Sequence, residues 1–284
     1  MHIGSVGSNF DNWENIASRS ILISVDGNDT GKNKKNIFLR EINDNSIISN
    51  KNSHSFFYLT KDPHCSSLLK PQKNNIKDWY LAHRFKVKKK IKVKTISFNN
   101  FLKKQKIDYI DWLVIDAQGM DLKILESLKK NIRDKISIID IEPGFFKFYE
   151  KESNINEIFK FMDTNKFEFN EIKFGNNYRV SSKDITKYEK KIILTCSNYS
   201  KCYSNITFFN KRKFERINLI KTINLINQKK IFEARHFVNK NFFKHKIKKN
   251  LLLKINEEIK KEKLKFFFII PFLIMKKIYN KLCP

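Results

Sequence analysis

Acidic residues are scarce in this chain: 29 Asp and Glu stand against 57 Lys and Arg, for a formal net charge of +28 over 284 residues. Such a balance bears on solubility and on binding to anionic surfaces, and carries no information about fold. Cysteine is also rare. Cys65, Cys196, Cys202 and Cys283 share no C-x-x-C spacing, which argues against a disulfide framework and against a zinc module and points to a reduced, cytoplasmic protein. The six histidines form no H-x-x-x-H pair, so no metal is expected. No long apolar run occurs. The longest, 266–275, has ten residues with Pro271 inside it, whereas a bilayer-spanning helix takes about 20. The chain does not open with a basic-then-apolar signal peptide.

Lysine, asparagine, isoleucine and phenylalanine are all abundant, as A+T-rich coding produces, and selection for a polyanionic partner is the alternative reading. The positive charge is uneven. Residues 211–284 hold 21 Lys and Arg against 5 Asp and Glu, a net of +16, leaving +12 for residues 1–210. The apolar spacing of Ile217, Ile220, Ile223, Leu251, Leu252 and Ile255 predicts amphipathic helices in this basic extension. Two readings stay open for it: peripheral contact with an anionic membrane at its inner face, or packing on the body or on a second copy.

The most informative stretch is Tyr109 to Leu128. An apolar, β-branched run ends in Asp116, a glycine turn follows at Gly119, and Leu122, Leu125 and Leu128 then recur at helical spacing. In an open parallel sheet, ligands sit outside the carboxyl ends of the strands, so Asp116 is placed where a pocket forms. A similar layout opens the chain. Gly4, Ser5 and Gly7 make a turn, Phe10 to Ala17 reads as a helix, and Ile21 to Val25 reads as a buried strand ending in Asp26. Glycines there let backbone approach a ligand, and the acid hydrogen-bonds ribose hydroxyls.

Further strands are predicted at Asn36 to Ile42, Ser55 to Thr60, Phe85 to Ile96, Ile136 to Gly144, Phe167 to Ile172 and Asn205 to Phe209. Helices are predicted at Asn99 to Lys104 and from Asn154, where Glu157 three residues on completes a capping box. Asp140 and Glu142 leave their strand two residues apart and share a face. Ser66 and Ser67 lie in a proline-bracketed loop, where their hydroxyls either contact a ligand or fix a turn.

The string Ile115-Asp116-Ala117-Gln118-Gly119-Met120-Asp121 with Leu122 and Leu125 resembles the core motif of the FkbM family of methyltransferases, Ile-Asp-x-Glu-Gly-x-Glu followed by Leu-x-x-Leu. Gln118 replaces a carboxylate of that motif with an amide that cannot take a proton, and Asp121 is one methylene shorter than the usual glutamate. The resemblance extends to the loop serines and ends near Asn210. It implies an α/β fold: a doubly wound, Rossmann-like sheet of the class I methyltransferase type over residues 1–210, with a late antiparallel hairpin, and residues 211–284 as a helical extension. The first strand is very short against that pattern, either because upstream residues are missing or because the strand is degenerate.

The resemblance further implies S-adenosyl-L-methionine as cofactor, held by Gly4, Ser5, Gly7 and Asp26, and O-methylation of a hydroxyl on a sugar, glycan or other metabolite. Asp116 is then the catalytic residue, with Ser66, Ser67, Asp121, Asp140 and Glu142 on the acceptor side. For Asp121 the competing role is to favour the N-terminus of its own helix. Two other classes compete: an inactive protein that keeps the fold, and a basic nucleic-acid-binding or membrane-surface protein. A nucleic-acid binder needs basic residues interleaved with exposed aromatics on one sheet face, and the aromatics here mostly occupy core spacing, so no specific nucleic-acid partner is expected.

Overall fold

The computed structural model describes residues 1–4, 13–27, 37–177, 200–241 and 243–262. Ser5, Gly7 and the apolar run 266–275 lie outside them. Among the described residues there are ten strands: β1 (His2–Ile3), β2 (Ile21–Val25), β3 (Arg40–Asp44), β4 (Ile47–Ser49), β5 (Ser53–Thr60), β6 (Val87–Ser97), β7 (Trp112–Ile115), β8 (Ile138–Ile141), β9 (Phe167–Asn177) and β10 (Ser200–Asn210).

Seven of them form one sheet in the order β3-β2-β1-β7-β8-β10-β9. The first five are mutually parallel, and β10 runs antiparallel to both β8 and β9. The order reverses at β1, which lies between β2 and β7. That reversal is the topological switch point at which open α/β sheets bind ligands. Strand β1 has only two residues, yet it pairs on both sides: His2 is opposite Ser24 and Val114, and Ile3 opposite Val25 and Ile115.

Burial on both faces explains the composition of the parallel strands. One face of β7 and β8 carries Leu113, Ile115, Ile139 and Ile141 into a core with Phe98, Phe101, Leu122, Leu125, Ile158 and Met162. The other carries Trp112 and Val114 against Trp13, Ala17, Leu22 and Phe38. The helices that close these layers include α1 (Glu14–Ala17), α2 (Lys73–Ile76), α3 (Phe98–Lys104), α4 (Asp121–Glu126), α5 (Lys130–Arg133) and α6 (Ile155–Thr164). At α6 the capping box is complete: the Asn154 side chain accepts from Glu157 N–H at 2.9 Å, and the Glu157 carboxylate accepts from Asn154 N–H at 2.7 Å.

The sequence did not separate β4, β5 and β6 from the main sheet. They form a sheet of their own, ordered β4-β6-β5, with β4 parallel and β5 antiparallel to β6. This small sheet is inserted between β3 and β7 of the main one and supplies a wall of the candidate site.

The chain divides into two compact units, Met1–Arg212 and Lys213–Pro284. In the second, α7 (Glu215–Asn227) packs with α8 (Ile231–Lys240), and a further helix runs over 245–262. Among the described residues no helix is long and apolar enough to cross a membrane, and no group of three or more His, Cys, Asp or Glu is placed to hold a metal ion. Cys65 and Cys202 are free and buried, and burial pushes their thiols up to about 12 and about 11.

Candidate active site

Four parallel strands end in register. Val25 pairs with Ile3, Ile3 with Ile115, and Ile115 with Ile141. The next residue of each strand, Asp26, Gly4, Asp116 and Glu142, therefore stands in one row along the carboxyl edge of the sheet. Backbone bonds continue the row past the strand ends: Gly4 N–H donates to Val25 O, and Asp116 N–H to Ile3 O, each at 2.9 Å. Gly4 has φ +80°, and a Cβ built on it would lie 1.8 Å from the Asp116 carbonyl oxygen, so only glycine allows the two strand ends to meet.

A cleft opens above this row. Asp26, Gly4, Asp116, Gln118, Ser66 and Ser67 line it together with His64 and the apolar side chains of Ile47, Ile48, Phe57, Leu68 and Met120. The mix of apolar wall with a few polar groups suits a small-molecule site.

Asp116 has two side-chain partners that fix it. Gln118 Nε2 donates to its Oδ1 at 2.6 Å, and Glu142 hydrogen-bonds its carboxyl group. Two carboxyl groups can hydrogen-bond each other only by sharing a proton. Burial, with the Asp116 charge next, drives Glu142 up to about 10, so the pair keeps one shared proton at neutral pH. Asp116 is itself raised, first by burial and also by the charge of Asp26, while its bonds from Glu142 and Gln118 act in the opposite direction.

The turn after Asp116 is held on every side. Gln118 (φ +51°) and Gly119 (φ +89°) are both left-handed. The Asp121 carboxylate accepts from Ala117 N–H and Gly119 N–H, each at 2.9 Å. Ser67 Oγ donates to Gln118 O at 2.7 Å, and Tyr149 Oη donates to Gln118 Oε1 at 2.7 Å. The amide of Gln118 thus bridges Tyr149 and Asp116, donating to one and accepting from the other. A glutamate there could make both bonds only when protonated.

Three sequence-derived assignments change. Asp121 does not line the cleft: it is 5% exposed, pushed up to about 7 chiefly by burial, and its two oxygens accept from the motif turn. Asp140 is also absent from the lining. It shares the parity of Glu142 but sits one pleat back from the strand end, where Trp112 Nε1 and Thr207 Oγ1 each donate to it at 2.6 Å. Burial is the first cause of its raised pKa. Glu142 reaches the site through Asp116. The loop serines line the cleft with their hydroxyls already engaged: Ser66 Oγ accepts from Thr60 N–H at 3.1 Å, and Ser67 Oγ accepts from Leu69 N–H as well as donating to Gln118. Their observed bonds are those of loop and turn anchors.

Residues the sequence did not single out are Tyr149, whose one hydroxyl proton is shared between Gln118 Oε1 and, at 3.0 Å, Cys65 O, and His64, placed by Asp62 where the carboxylate accepts its backbone N–H at 3.0 Å. Arg84 in turn holds Asp62 at 2.6 Å. An Asp-Pro-His step with a downstream arginine was the available signal, but nothing local marks it as facing a cleft.

No curated protein and no solved structure matches this chain. A family model does match, over a span that includes Asp116, Gln118, Glu142 and the loop serines and begins after Gly4 and Asp26. Residues 31–169 match the methyltransferase FkbM domain, and this part of the chain is similar to that family.

Proposed function

We propose that this protein methylates a hydroxyl group of a sugar, glycan or other metabolite, using S-adenosyl-L-methionine, with Asp116 receiving the hydroxyl proton. The observation that carries the reading is the row Asp26, Gly4, Asp116 along one cleft edge at the switch point of the sheet.

The residues present fit the cofactor. Asp26 stands at the end of β2, where an acid meets ribose hydroxyls, and Ile47, Ile48 and Leu68 offer an apolar wall for a base. Two carboxyl groups in the cleft favour a cation such as a sulfonium. When bound, S-adenosyl-L-methionine would supply an electrophilic methyl carbon for the acceptor oxygen and a neutral thioether as leaving group.

The chain's own part is placement and proton handling. Gln118 and Glu142 hold the Asp116 carboxyl group from two sides, which leaves its orientation fixed. Its raised pKa makes it a better proton acceptor than an ordinary aspartate while it remains ionised. The shared proton keeps the Asp116–Glu142 pair at a single negative charge, so a neutral hydroxyl is admitted more readily than an acid. Gln118 in place of the motif's carboxylate supports an active enzyme over a degenerate relic, because its amide makes bonds on both sides. The sparse cysteines support a cytoplasmic setting, and the +16 of residues 211–284 supports contact with anionic lipid at the inner membrane face.

Titration calorimetry with S-adenosyl-L-methionine is the direct test. Micromolar binding that Asp26→Ala weakens at least tenfold is the expected result, followed by methyl transfer from labelled cofactor into a sugar-containing fraction of a cell extract. Absence of binding by the intact chain would leave the inactive reading standing.

A further inference from the structure

The small sheet has two unlike faces. Phe57 of β5 turns inward and lines the cleft. On the opposite face, alternate residues of β6, Lys90, Lys92 and Lys94, are exposed, and their partners across the strand pair are Tyr58, Phe56 and His54. A period of two residues spaces the lysines by about 7 Å. None of the residues of β4, β5 or β6 is Asp or Glu, although five are lysine. Lysine-rich coding alone scatters charge; here three of the five, Lys90, Lys92 and Lys94, are filed along one face with no carboxylate on the sheet to neutralise them.

Phe56 is 50% exposed, and Lys90 Nζ lies 3.7 Å from its ring centroid and 5.7 Å from that of Tyr58. The rings therefore hold the ammonium of Lys90, at one end of the file, in place by cation–π attraction. This also separates two classes of polyanion. Single-stranded nucleic acid needs aromatic faces on which bases stack, and the Phe56 face is already covered by Lys90. A linear partner recognised by the spacing of its charges needs only the file of cations.

We propose that this outer face docks a linear anionic glycan, a chain with repeating carboxylate or phosphate groups, which is the acceptor class of the neighbouring cleft. The proposal rests on the methyltransferase reading above and extends it. The cleft itself carries Asp26 and Asp116 and repels anionic groups, so an acidic acceptor must keep its charges outside while one hydroxyl enters. Lysines on the outside of the cleft wall meet that need and raise the local concentration of acceptor hydroxyls.

The test is fluorescence anisotropy of the full chain with a labelled oligogalacturonate. Neutral dextran and single-stranded oligothymidylate of equal charge serve as comparators. Lys90→Gln/Lys92→Gln/Lys94→Gln is expected to weaken oligogalacturonate binding at least tenfold and to lower the slope of log affinity against log salt by about 2. The equal-charge control Lys244→Gln/Lys246→Gln/Lys249→Gln, on residues exposed in the second unit, is expected to stay within twofold. Equal losses in both triple variants, no preference over dextran, or tighter binding of oligothymidylate would each overturn the proposal. Binding is read without cofactor, so failure here leaves the calorimetric test of the cleft untouched, and failure of that test leaves this one readable.

Discussion

Glu142 hydrogen-bonds Asp116 across the ends of two neighbouring parallel strands, because Ile115 and Ile141 are opposite each other and the next residue of each strand is a carboxylic acid. Register alone produces this pair. The proton it shares gives the fold a pH dependence that neither residue would have in isolation.

In the folded chain Glu142 is held from 4.5 up to about 10, so above pH about 4.5 the folded state keeps a proton that the unfolded chain releases. The pair's contribution to stability is therefore greatest at low pH and declines as pH rises toward about 10. Glu142→Gln keeps an N–H to donate to Asp116 and removes the titration. Its melting temperature is expected to match the wild type near pH 5 and to exceed it by an amount that grows through pH 9. A difference that is flat with pH would show that the pair keeps no shared proton.

Gln118→Glu tests the bridging amide. The substitution replaces the Nε2–H that donates to Asp116 Oδ1 with a carboxylate oxygen beside an existing carboxyl pair. A third buried acid is held above its ordinary value, so its cost is small near pH 4 to 5 and grows as pH rises. Melting scans at pH 5 and pH 8 are expected to show a deficit of several degrees at the higher pH only. Equal melting at both would mean that the side chain at 118 turns away from Asp116.

How much of this was legible in the sequence depends on range. The strand, turn and helix from Tyr109 to Leu128 are readable because each is signalled by its own residues, and so is the capping box at Asn154. Parity placed Asp140 and Glu142 on one face correctly, yet parity says nothing of depth, and one pleat of about 7 Å separates a residue at the rim from one beneath Trp112. The bridge from Gln118 to Tyr149 spans 31 residues and has no local pattern. The small sheet escaped notice because β4 has three residues and pairs with a strand more than 40 positions away.

Asp140→Asn distinguishes a buried structural acid from an acceptor-binding one. Both donors, Trp112 Nε1 and Thr207 Oγ1, approach its carboxylate, and an amide can accept at only one of its two terminal atoms. The loss of one charge-assisted bond is expected to cost about 1 to 3 kcal/mol, seen as a melting-temperature drop of several degrees. Calorimetric affinity for S-adenosyl-L-methionine should remain within twofold. A large loss of affinity with unchanged melting would return Asp140 to the site.

Gly4→Ala addresses the contact on which the row of strand ends depends. Its φ of +80° strains any residue with a Cβ, and the added carbon would sit 1.8 Å from a backbone oxygen, which cannot move without parting β1 from β7. At Gly27 an added Cβ would lie 2.5 Å from Ile47 Cγ1, the side chain of a neighbour that can change rotamer. Gly4→Ala is therefore expected to cost about 3 kcal/mol or more and to abolish cofactor binding, because Asp26 and Asp116 lose their common edge. Gly27→Ala should melt closer to wild type. Denaturant unfolding of the two variants side by side decides the point: equal stabilities would show that the meeting of Gly4 with Asp116 does not hold the site together.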